Sequence, residues 1–82
     1  MLNENIFKIF DLPNGSGKLQ ITNIEPYTMK EGIVVKYKVT FDVWSDNNKR
    51  SFDRVANTHP RKKNIFYFVY NNEKYWFLPE IE

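Results

Sequence analysis

Residues 33–44 read IVVKYKVTFDVW. Ile33, Val35, Tyr37, Val39, Phe41 and Val43 alternate with Lys36, Lys38, Thr40 and Asp42, the period-2 pattern of a strand with one dry face and one wet face. The stretch is about twice the usual strand length, so the strand must bend or span a curled sheet and can take different neighbours along its length. It runs into SDNNK (45–49), which is rich in turn formers. RSFDRVA (50–56) then reads as the return strand, with Phe52, and Arg54 or Val55, placed by register. Together the two segments predict a β-hairpin.

Working outward, NTHPRKKN (57–64) is a polar, basic loop. IFYFVY (65–70) is apolar throughout, as expected of a strand covered on both faces or closing a barrel. Asn71-Asn72 predicts a tight turn, and KYWFL (74–78) returns antiparallel until Pro79 stops it. Upstream, EPYTMKEG (25–32) reads as a polar connection in which Tyr27 and Met29 cap one end of the core. In KLQITNI (18–24), Leu19 and Ile21 face inward, and Ile24 breaks the parity, signalling a bulge or the strand's end before Pro26. LPNGSG (12–17) is a turn; Gly15 and Gly17 are too close, and Lys18 is followed by Leu19, so no phosphate-binding G-x-x-x-x-G-K-[ST] loop is present. Residues 5–11 admit two readings. Leu2, Ile6, Ile9 and Phe10 fit one face of a short helix over 3–11 with Asn3 as its N-cap. Two isoleucines, two phenylalanines and Pro13 favour a strand instead.

The expected fold is therefore all-β, a single domain over residues 1–82 with five or six antiparallel strands in a small SH3-like or OB-like barrel. With 82 residues the chain is near the lower limit for a self-sufficient core. Aromatics at 17% supply that core, each burying roughly 150–250 Å². The absence of cysteine excludes disulfides, thiolate metal sites and cysteine nucleophiles. No apolar run approaches the roughly 20 residues of a membrane span, and the N-terminus lacks a leader pattern, so the expectation is a soluble, cytoplasmic protein. The preference for Asn, Lys, Ile, Phe and Tyr resembles coding in an AT-rich genome, such as a low-GC bacterium or its phages and mobile elements.

The formal charge of +2 is unevenly spread. Residues 49–63 carry Lys49, Arg50, Arg54, Arg61, Lys62 and Lys63 against Asp53 alone, while the flanking segments are weakly acidic. A basic arm beside Tyr67 and Trp76 is the composition of a surface that tracks phosphates and stacks bases, with Tyr70 and Tyr75 as further platforms. The alternative is a protein-binding inhibitor or adaptor that docks on a host enzyme through Trp44 and Trp76, which share strand faces with lysines. Catalysis is not expected. His59 is the only histidine and reads as a solvated loop residue, and Asp42 and Asp53 are expected to pair with Arg50, Arg54 or Lys36 across the hairpin. No cofactor or metal is expected, and the chain is read as a monomer or weak homodimer.

Overall fold

In a computed structural model that describes residues 8–62 and 64–79, the chain forms six antiparallel strands. They are β1 (Ile9–Asp11), β2 (Lys18–Lys30), β3 (Ile33–Ser45), β4 (Asn48–Thr58), β5 (Phe66–Tyr70) and β6 (Glu73–Phe77). Each strand pairs with its sequence neighbour. This up-and-down order lacks, among the described strands, the non-consecutive neighbours of a Greek-key OB barrel. The sheet curls until its two ends meet. Phe10 of β1 packs edge-on against Tyr75 of β6, with ring centroids 5.3 Å apart, and the result is a nearly closed barrel.

Three hairpins set the registers. Glu31–Gly32, Asp46–Asn47 and Asn71–Asn72 each connect directly paired strands, and all six residues have positive φ, from 48° to 79°. That geometry defines type I′ turns, whose twist matches that of the strands they join. Asn and Asp tolerate it because their short polar side chains bond locally.

The alternation in β3 holds where neighbours cover it: Tyr37, Val39, Phe41 and Val43 are buried, whereas Ile33 is exposed and Val35 half-buried. Aromatic rings make up nearly half of the buried core among the described residues. Phe41 lies 4.9 Å from Phe68, 5.9 Å from Phe52 and 5.6 Å from Tyr70, and Phe77 packs on Phe66 and Phe68. Each fully buried phenylalanine contributes about 2–3 kcal/mol.

Several expectations are corrected. Residues 25–30 are strand, not connection, because β2 continues past Pro26 with register shifts at Ile21/Asn23, Pro26/Thr28 and Thr28/Met29. Among the described residues β1 pairs only with Lys18–Gln20, so no described strand takes the β2 edge at Pro26, where a proline forfeits no ladder bond. Tyr27 and Met29 stand out in solvent, each 59% exposed, and do not cap the core. Residues 65–70 are not covered on both faces: Phe66 and Phe68 are buried, but Val69 is exposed and Tyr67 half-buried. Residues 9–11 form a strand, the reading favoured over a helix, and residues 3–7 of that stretch lie outside the described residues. Asp42 accepts a hydrogen bond from Ser51 (2.6 Å) and Asp53 lies 3.8 Å from Lys38, so the partners differ from those expected.

Candidate functional site

Residues directly opposite one another in a sheet share a face, so the registers fix which side chains gather on the outer surface. One row crosses four strands: Lys36 (β3), Asn57 (β4), Tyr67 (β5) and Trp76 (β6). Adjacent strands are about 4.8 Å apart, which brings the two aromatics into contact. Their rings lie 4.9 Å apart at 44°. Lys74 is two residues from Trp76 on the same face, and its ammonium sits 5.0 Å from the Tyr67 ring and 6.0 Å from the Trp76 ring, within the range of cation–π attraction. Lys8 reaches the same strand, its Nζ donating to the Trp76 carbonyl at 3.5 Å.

The 59–65 loop is attached to this platform by His59. The imidazole packs 5.1 Å from the Trp76 ring, and its Nδ1 accepts the backbone N–H of Arg61 (3.0 Å) and of Lys62 (3.1 Å). The His59 N–H donates to the Ile65 carbonyl at 2.7 Å, closing the loop at its base. His59 is thus half-buried and organises the turn; it is not the solvated residue the sequence suggests. On the loop's other side lies a groove of about 630 Å³, with Ile33, Val35, Tyr37 and Phe66 among its apolar walls and Arg61 and Lys62 on its rim.

The structure divides the basic arm. Arg61 and Lys62 follow His59, whose ring packs on Trp76, and their side chains line the groove beside Tyr37 and Phe66; Lys63 lies outside the described residues. Lys49 is at the tip of the β3–β4 hairpin, its Nζ 5.4 Å from the Trp44 ring. Eight residues of strand, about 26 Å, separate it from Asn57. Arg50 and Arg54 share the opposite face with Phe52, across from Val43 and Val39. Arg54 lies over the Phe52 ring at 5.6 Å and donates to the Asp53 carbonyl at 2.8 Å.

Both tryptophans are exposed, Trp44 at 47% and Trp76 at 36%, but they belong to different ends of the sheet. Tyr75 is core, and Tyr70 is half-buried against Phe41 and Phe52, so neither serves as an outer platform. Sequence reasoning placed Lys36 and Lys74 on the tryptophan faces without assigning them to the site, and missed Lys8 and the role of His59. The spacing of Lys74 from Trp76 was a legible signal, whereas Lys8 arrives only through barrel closure.

Among the described residues, no group of three metal-ligating side chains converges and no helix is long and apolar enough to cross a membrane. No protein-family model, curated protein or solved structure matches the chain.

Proposed function

We propose that the protein is a non-catalytic, cytoplasmic binding module, of phage or mobile-element type, that takes single-stranded nucleic acid across the outer face of β5 and β6 and onto the 59–65 loop. The observation that carries this reading is the touching pair of exposed Trp76 and half-buried Tyr67 with the Lys74 ammonium over it. Every nucleobase has a π-face, so such a pair binds bases with little regard to sequence, at roughly 1–3 kcal/mol per stacked base. Lys36 stands in the same row, Lys8 reaches the Trp76 carbonyl, and Arg61 and Lys62 follow His59 along the loop; these supply cations for the phosphates. Lys49, Arg50 and Arg54 lie outside this contact.

Fluorescence anisotropy with a labelled oligothymidylate of about ten nucleotides tests the proposal. Affinity should fall steeply between roughly 50 and 200 mM salt. Replacing both Arg61 and Lys62 by alanine should lower the slope of log K against log salt by about 1.4, at roughly 0.7 per lost phosphate contact. A flat salt response in the wild type would contradict it.

The second reading, an inhibitor or adaptor docking on a host enzyme, is favoured by the exposure of Trp44 and Trp76. The two stand in different rows of the sheet, eight residues apart along β3, so this reading rests on Trp76 with its neighbours. Binding of that kind should depend little on salt and collapse on Trp76→Ala.

A further inference from the structure

β4 is paired along β3 from Asn48 to Asn57, but on its other side only Asn57 and Thr58 meet β5. Ser45 and Asn48 flank a two-residue turn, so they form its hydrogen-bonded closing pair. Alternation along the ladder then turns the backbone groups of Arg50, Phe52 and Arg54 towards β3 and those of Lys49, Ser51, Asp53 and Val55 towards the opposite edge. Asn57, next in that second set, is where β5 attaches. From Val55 back to Lys49, no described strand takes the edge.

We propose that this open edge of β4 accepts an extended, acidic segment of a partner protein as an added strand, with Arg50, Phe52 and Arg54 reading its side chains. Strand addition draws affinity from main-chain bonds and specificity from alternate side chains. A residue of the added strand opposite Arg50 or Arg54 lies on the same face as that arginine. Neither guanidinium has a carboxylate within 4.0 Å among the described residues, and the Asp53 side chain lies on the other face, towards Lys38. Between the arginines, Phe52 is half-buried and lies 5.2 Å from Tyr70, offering an apolar seat. The complementary segment is therefore acid-x-apolar-x-acid. A second copy of this chain is disfavoured, since antiparallel self-pairing about Phe52 puts Arg50 opposite Arg54. A nucleic acid is disfavoured at this edge because a phosphate backbone offers acceptors only, leaving the edge carbonyls facing anions.

The test uses the labelled peptide Thr-Asp-Thr-Val-Thr-Asp-Thr and a control of the same composition with one aspartate moved by one position, so that the acids fall on opposite faces. The first peptide should bind about tenfold tighter or better, and the amides of Ser51, Asp53 and Val55 should gain protection from hydrogen exchange. The double variant Arg50→Glu/Arg54→Glu should weaken binding by about tenfold or more without changing the circular dichroism spectrum. Equal affinity for the two peptides would overturn the proposal. So would no binding at about 1 mM, no protection at the three amides at saturation, or an oligonucleotide that perturbs those amides while the peptide does not.

Discussion

Two single residues show how tightly the barrel is specified. A Cβ added at Gly17 would lie 2.0 Å from the Trp44 carbonyl oxygen, because the 12–17 turn packs directly on the end of β3. Ser45 Oγ donates to the Ser16 carbonyl at 3.0 Å, and Leu12 N–H to that of Gly17 at 2.9 Å, holding the turn there. Gly17→Ala should destabilise the fold by at least about 2 kcal/mol, read as a fall in Tm of about 10 °C. An unchanged Tm would mean that the turn does not sit on Trp44. Tyr75 makes a different point. Its hydroxyl is buried with no hydrogen-bond partner among the described residues. Burial, and then the nearby Glu73 and Tyr70, holds it above the ordinary phenol range; burial does the same to Tyr37. The folded state therefore keeps these protons more tightly than the unfolded chain. The stability they confer is complete below pH ~10, the unfolded value, and is lost as pH rises through the folded values. Tyr75→Phe should leave neutral-pH stability unchanged or raised by about 1 kcal/mol and flatten the alkaline loss, as measured by denaturant titration across pH. A clear loss at neutral pH would show that the hydroxyl is satisfied.

At the scale of elements, the 59–65 loop owes its shape to one acceptor serving two amides. Asparagine can accept from the same positions in an Asx turn, whereas leucine cannot. His59→Leu should speed hydrogen exchange of the Arg61 and Lys62 amides about fivefold, the equivalent of one net hydrogen bond of about 1 kcal/mol, and His59→Asn should largely preserve their protection. Equal exchange in the two variants would remove His59 from its organising role. The loop also marks where the sequence stopped being readable. The hairpin around 45–49 and the Asn71–Asn72 turn were legible because their residues suit positive φ, a local property. The extension of β2 past Pro26 was not, because it depends on the pairing of residues 25–30 with β3, a non-local contact. The division of the basic arm was hidden for a related reason. Neighbouring positions in a strand face opposite ways, so Lys49 and Arg50 part company as soon as β4 forms. The candidate aromatics Tyr67 and Trp76 were legible singly from alternation, but their contact required the β5–β6 register.

For the molecule as a whole, the candidate surfaces are spread over an elongated body of 43 × 27 × 16 Å. The Tyr67–Trp76 platform and the Trp44–Lys49 tip are separate places on one sheet, set apart by the length of β3 and β4, and the β4 edge runs back to that tip. This separation provides an internal control, because the chain has two tryptophans and only one lies on the platform. The most direct measurement is a titration with unlabelled oligothymidylate at low salt, following the two indole Nε1–H signals by NMR. The Trp76 signal should move progressively and saturate, while that of Trp44, eight residues along β3 from the row that holds Trp76, should stay in place. Equal movement of both signals, or movement of Trp44 alone, would contradict the platform as the site of binding.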